Sequence, residues 1–312
     1  MGRTSTPADR FTDLPDFDYE RHSVTVGDSE ARSAAGSRTE SGDGIEMAYV
    51  DEGEGTETFL CLHGEPTWGY LYRKMIPTLA ERGRVVVPDF VGFGRSEKLT
   101  DREDYSFDLH YETLAEFVEK LDLQNVTLVC QDWGGIVGLT YAAHEPDRFA
   151  RLVAMNTFVP TYDTEMADEW YDFRNFVERV EELPIGMLIQ NATATELSDE
   201  ELAAYEAPYP DEASKAGAYA WPDMVPRTDG GDAGEGEKTA AAREKLKEWE
   251  KPAFVLFADS DPITKPARDP LRGLIGSADE QPDVWVEGAM HFLQEDAGEE
   301  IAEEILAFVD RT

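Results

Sequence analysis

The 312-residue sequence predicts an α/β protein, a mostly parallel central sheet flanked by helices with a helical lobe inserted late in the chain. Three observations lead there. Short apolar runs alternate with helical patterns from about Ile45 to Met155. From about Phe158 to Pro226 the strand signals vanish, while helical periodicity, Trp, Tyr and Pro take over. Strand signals then resume at Phe254.

Residues 1 to about 20, with Pro7 and Pro15, read as an extended arm, and His22–Val26 as a first strand. Gly27–Gly44 is rich in Ser, Gly, Ala and charge and reads as a long turn or insertion without a core. Ile45–Val50 alternates apolar and polar like a half-buried strand, and Glu57–Leu62 is a more continuously apolar one. Then come a helix over Tyr70–Glu81, a strand over Arg84–Val87, a helix over His110–Leu121, a strand over Val126–Cys130, a helix over Gly135–Ala143 and a strand over Arg151–Met155. The lobe is expected to close over the carboxyl ends of the strands, where open α/β sheets bind ligands. Thr228–Gly236 reads as a flexible return linker. Phe254–Ala258 and Asp283–Val286 complete the sheet, and Ala297–Val309 is a closing helix. The expected division is a core over 1–157 and 238–312, with the cap and its linker over 158–237.

Lys and Arg number 28 against 66 Asp and Glu, a net charge of −38 spread along the whole chain. Such a surface excludes nucleic acid as a natural partner. It matches proteins of halophilic microbes, whose molar salt screens self-repulsion to within about 3 Å. No run of about 18 apolar residues exists, so no membrane span is expected. The polar start, Met1 to Arg10, lacks an apolar signal region, and a cytoplasmic protein is expected. Met1-Gly2 with Thr6 formally matches a myristoylation pattern but lacks a polybasic second signal. The triplets beginning at Asn125 and Asn191 match a glycosylation site without meaning in a cytoplasmic protein. Cys61 and Cys130, each closing a core strand, are expected as free buried thiols, and they offer no metal-ligand spacing.

Chemistry concentrates at Cys130-Gln131-Asp132-Trp133-Gly134-Gly135, where a strand breaks into a helix among small residues. Such a turn presents one side chain at the top of the sheet. A serine there must first lose a proton to a base, whereas an aspartate with the usual pKa of about 4 is already anionic at neutral pH. Displacement at an sp3 carbon through a covalent ester is therefore the expected chemistry. The bland alternative makes Asp132 a helix cap. Hydrolysis of an ester needs a base, and His291 follows the last strand on the same sheet edge. His22, His110 and His144 have no evident route to Asp132. An orienting acid is expected from Asp259-Ser260-Asp261, with Asp261 preferred and Asp259 left as a turn residue. His63-Gly64-Glu65-Pro66-Thr67-Trp68 stands where an oxyanion loop belongs, with the Glu65 and Trp133 backbone N–H groups as donors and His63 holding the loop.

Four segments together resemble a haloalkane dehalogenase of the α/β-hydrolase superfamily: Leu62–Trp68, Asp89–Ser96, Val129–Gly135 and His291–Glu295. The subgroup resembled carries Glu, as Glu65 here, in the loop after the third strand. The likeness runs from the Thr6-Pro7…Arg10-Phe11 arm to the last helix and is weakest in the lobe. It implies an α/β-hydrolase fold with a helical cap. It further implies that Asp132 attacks a halogen-bearing carbon, that His291 with Asp261 activates water on the ester, and that the Trp133 indole N–H holds the halide. The implied partners are a small haloalkane, water and halide ion, with no metal or organic cofactor. The family usually adds a second donor, in this subgroup a cap Trp, and here the chain departs. The expected position falls near Phe173, Trp170 lies one turn earlier, and Trp221 is in reserve. Met166, Trp170, Phe173, Val177 and Val180 share one helical face, a pattern also typical of core.

Two rival readings remain. An epoxide hydrolase would share the nucleophile, base and acid but needs cap tyrosines, for which Tyr162, Tyr171, Tyr205, Tyr209 and Tyr219 are candidates. Gln131, in place of the His common there, disfavours it. A non-catalytic ligand-binding protein on the same scaffold would be favoured by loss of a catalytic group, and none is lost.

Overall fold

The computed structural model describes residues 2–27, 44–231 and 233–312. The expected insertion therefore lies almost wholly outside the described residues. The strands are β1 (Arg3–Thr4), β2 (His22–Val26), β3 (Ile45–Glu52), β4 (Thr58–Leu62), β5 (Arg84–Pro88), β6 (Lys98–Leu99), β7 (Val126–Gln131), β8 (Phe149–Met155), β9 (Ala253–Ala258) and β10 (Trp285–Val286). Eight of them form one sheet in the order β10-β9-β8-β7-β4-β5-β3-β2, in which β3 alone runs against the rest. The middle strands β4, β7 and β9 are buried at every residue. That explains their continuous apolar runs, because a parallel strand covered on both faces has no polar side to show.

The helices of the core are α1 (Ile76–Ala80), α2 (Phe107–Lys120) and α3 (Trp133–His144). Four helices follow between β8 and β9 as the cap: α4 (Asp168–Arg179), α5 (Ile185–Asn191), α6 (Asp199–Glu206) and α7 (Ala216–Met224). Then come α8 (Ala233–Lys247), α9 (Arg268–Leu274) and α10 (Leu293–Arg311). Ser106 caps α2 by accepting the Leu109 N–H, and Ser198 with Glu201 forms a reciprocal capping box on α6. The N-terminal arm is tied to the cap, where Arg10 Nε donates to Ala207 O at 2.7 Å, and to the core, where Phe17 packs edge-on against Trp68.

Four expectations need correction. The helix over Tyr70–Glu81 is broken into a 3₁₀ turn, Gly69–Tyr72, and the short α1, because Pro77 in the first turn of α1 has no N–H to donate to Arg73 O; at the break Arg73 turns inward to a buried carboxylate, Glu295. The return linker is helical from Ala233, its glycines notwithstanding, and α8 packs against α3. Asp283 and Val284 precede β10, and the closing helix starts at Leu293, with Ala297 as a non-helical kink inside it.

Candidate active site

Strand β7 ends at Gln131 and α3 begins at Trp133, leaving Asp132 alone in the turn at φ 52° and ψ −127°. A positive φ on such a residue costs of order 1–3 kcal/mol and persists only where its surroundings enforce it. Here the backbone is pinned on both sides. Asp132 N–H donates to Asn156 O at 3.1 Å, and Asp132 O accepts from Thr157 Oγ1 at 2.7 Å and from Gly135 N–H at 2.9 Å. The side chain makes no cap bond to α3, so the helix-cap reading fails. Close approach demands glycine nearby: a Cβ on Gly64 would sit 2.1 Å from Asp132 Oδ1, and one on Gly134 2.1 Å from Leu62 O.

The carboxylate instead faces a cavity. Its Oδ1 accepts the Glu65 N–H at 2.7 Å, and its Oδ2 lies 3.5 Å from His291 Nε2. Of the two expected oxyanion donors, the Glu65 N–H reaches this oxygen, while the Trp133 N–H makes no hydrogen bond among the described residues. His63 holds the loop as expected, contacting Gly64 O at 2.9 Å through Nδ1 and accepting the Phe90 N–H at 3.0 Å on Nε2.

Behind His291, Nδ1 meets Asp261 Oδ2 at 2.9 Å. Asp261 is fully buried and also accepts the Ile263 N–H at 2.9 Å and the Thr264 hydroxyl. Asp259 serves the turn, accepting Ser260 Oγ and the Gly288 N–H, each at 2.8 Å. Burial alone would push the Asp261 carboxyl up, but the His291 charge and these hydrogen bonds hold it below the usual range. For His291 burial acts to lower the pKa, yet the charges of Asp261 and Asp132 and their hydrogen bonds carry it up to about 10. Burial, then the Asp132 charge, raises the Glu65 carboxyl well above its ordinary value.

Sequence reasoning missed two amides that hold this arrangement. Gln131 Nε2 lies 3.1 Å from His291 Nε2 and donates to His291 O at 3.2 Å. Asn156 Nδ2 donates to Met290 O and His291 O, both at 3.0 Å, while its Oδ1 accepts the Ala258 N–H at 2.9 Å. Asn156 thus ties the loops after β8, β9 and β10 together, from a backbone φ of 38°. An asparagine directly after an apolar strand, at the sheet edge where ligands bind, was the available signal.

The cavity above Asp132 measures about 220 Å³ and is lined by core residues, including Glu65, Trp133 and Ile136, and by Trp170, Phe173 and Leu188 of the cap. It is mainly apolar, with the carboxylate at its floor. The indole N–H groups of Trp133 and Trp170 make no hydrogen bond among the described residues, and Phe173 lines the wall without a donor. Trp221 fails as the reserve donor. It is fully buried, does not line the cavity, and gives its N–H to His110 Nε2 at 2.5 Å. The candidate tyrosines lie elsewhere. Tyr205 donates to Glu295, Tyr219 to Glu212, Tyr171 to Asp229 and Tyr209 to Pro66 O, while Tyr162 is at the surface. None of them lines the cavity, which removes the support for epoxide opening. Both cysteines are buried free thiols, as expected, and no helix among the described residues is long and apolar enough to cross a membrane.

Comparison with known proteins agrees with this geometry. Residues 57–296 match the family model of the alpha/beta hydrolase fold. The chain is 40% identical over 306 residues to a haloalkane dehalogenase of Psychrobacter cryohalolentis, covering 97% of each chain. It is 38% identical over 310 residues to one of Mycobacterium marinum, covering 99% of this chain and 100% of the other. Among solved structures, a haloalkane dehalogenase of Paraglaciecola agarilytica NO2 superposes with a TM-score of 0.86 at 36% identity, covering 98% of each chain. With a carboxylate on the elbow, a histidine and buried acid behind it and likeness along nearly its whole length, the chain belongs to the haloalkane dehalogenases of the α/β-hydrolase family.

Proposed function

We propose that the protein hydrolyses small haloalkanes to alcohol and halide through an ester on Asp132. The observation that carries this is the elbow carboxylate, 3.5 Å from a histidine that is itself bonded to a buried aspartate. Oδ2 attacks the sp3 carbon from the side opposite the halogen, and the carbon–halogen pair leaves on the halide. The Trp133 indole donates to that ion, and a donor without acceptor or charge suits a large, weakly hydrated anion. Water then gives a proton to His291 Nε2 and its oxygen adds to the ester carbon. Oδ1 takes up the negative charge beside the Glu65 N–H. Collapse returns the carboxylate, and the departing alkoxide takes the proton from His291. One haloalkane and one water become one alcohol, one halide and one proton. Asp261 orients the ring and stabilises its charged form.

The core is proposed to span 1–157 and 238–312, with the cap between them. Glu65, whose carboxyl is raised well above its ordinary range by burial and then by the Asp132 charge, lines the substrate space. Halide release from 1-bromobutane and 1,2-dibromoethane, run beside styrene oxide, tests the assignment. Bromide release without diol formation is expected, and diol without bromide would overturn it.

Trp170 is proposed as the second halide donor, because it is the cap indole that lines the cavity. Trp170→Phe should weaken bromide binding and slow carbon–halogen cleavage by roughly ten- to a hundredfold, since a hydrogen bond to a charged group contributes about 1.5–3 kcal/mol. Saturable quenching of indole fluorescence by bromide measures the first effect, and an unchanged affinity would leave Trp133 as the sole indole donor. The net charge of −38 supports a further reading, a protein adapted to high salt. Its Tm should climb between low and molar KCl as repulsion is screened. A Tm that stays level across that range would rule the adaptation out.

A further inference from the structure

Trp221 lies behind the halide site, not in it. Its ring stands 5.0 Å from that of Trp133 at an interplanar angle of 32°. Phe93 and Phe90 close around it at 4.2 and 5.7 Å, so aromatic rings line much of its slot. Yet the chain places a polar atom there and meets it with another. The Trp221 N–H donates to His110 Nε2 at 2.5 Å, edge to face at 84°. Both side chains are fully buried, and His110 Nδ1 has no partner among the described residues. Since Nε2 accepts, the ring carries its proton on the unpartnered nitrogen, a cost that needs a return. Burial, with the nearby His63, holds His110 neutral down to about 3, so the acceptor persists across the working pH range.

The bond adds a directional constraint on the Trp221 indole that ring packing alone does not supply. Trp221 belongs to the cap helix α7, His110 and Trp133 to the core, and the next residue, Pro222, lines the cavity. We propose that the Trp221–His110 pair is a positioning device that aims the Trp133 N–H at the halide and so sets discrimination among chloride, bromide and iodide leaving groups. The inference rests on Trp133 as halide donor. A hydrogen bond weakens steeply when misaligned, and chloride, the most charge-dense and poorest leaving group of the three, depends on it most.

The test compares kcat/KM for 1-chlorobutane, 1-bromobutane and 1-iodobutane, because this ratio reports the transition state of the carbon–halogen step. Trp221→Phe and His110→Leu should each lower the chloride-to-iodide ratio by about tenfold, part of the value of a charged hydrogen bond. His110→Gln, which keeps an acceptor for the indole, should restore the ratio to within roughly threefold. An equal fall for all three halides, or no change in the ratio, would mean a merely structural role and overturn the proposal. Thermal melting verifies that each variant folds. If His110→Leu does not fold, Trp221→Phe decides, since it keeps both His110 and an aromatic ring in the slot. Trp133→Phe separates the two levels. If it leaves the halide order untouched, the donor reading itself fails; if it alone alters the order, only the positioning inference fails.

Discussion

A His291→Phe variant should release one equivalent of bromide from 1-bromobutane and then stop, with a butyl group retained on the peptide that contains Asp132. In the proposed route the alkylation step uses the carboxylate and the halide donors, none of which is removed. Hydrolysis uses Nε2, which phenylalanine lacks, and loss of a positioned base lowers a rate by about 10²- to 10⁴-fold. Asp261 would lose its partner on Nδ1 but keep the Ile263 N–H and the Thr264 hydroxyl, so its buried carboxylate is not left bare. Peptide mass spectrometry after incubation reads the adduct directly. Continued turnover with an unmodified Asp132 peptide would exclude the covalent route.

The parts of this site that sequence conveyed are those set by local pattern. Asp132, His291 and Asp261 each follow an apolar strand, and the sheet brings the ends of β7, β9 and β10 to one edge, so their meeting follows from topology. Of the two aspartates weighed as the orienting acid, Asp261 lies against the imidazole while Asp259 satisfies its own turn. What sequence did not convey depends on contacts between distant segments. The break in the helix expected over Tyr70–Glu81 was legible in Pro77, but the ion pair that Arg73 makes there with Glu295, 222 residues away, was not. Ala233–Gly236 is glycine-rich and charged, which reads as linker, yet α8 finds a partner in α3. The cap was the least legible region, since an apolar helical stripe is the same for core and for cavity wall. Only the fold separates Trp170, which faces the cavity, from Trp221, whose N–H is taken by His110.

Replacing Asp132 by Asn should abolish halide release and, in the same protein, move the titration of His291 well below about 10. The asparagine stands in for the alkyl ester, neutral and of similar shape, so the variant reports the state in which His291 must act. In the resting enzyme burial lowers the histidine pKa while Asp261 and Asp132 raise it, and the two carboxylates prevail. The substitution removes the charge and the hydrogen-bond acceptor that Asp132 supplies, leaving burial against Asp261 alone. A nearby opposite charge is worth roughly one to three pH units, so the midpoint should fall by about that amount. The same balance governs stability. A histidine with a raised folded-state pKa adds stability that is fully present below its ordinary value of about 6.5 and is lost as pH rises through about 10. In the variant that loss should set in at a lower pH. In the proposed route the consequence for turnover is a base that switches itself on: formation of the ester would discharge Asp132, His291 would give up its proton to solvent more readily, and the ring would be free to take one from water. Histidine carbon and nitrogen NMR shifts followed with pH measure the midpoint. A His291 titration at the wild-type value or above it would remove the switch and require another source of the base.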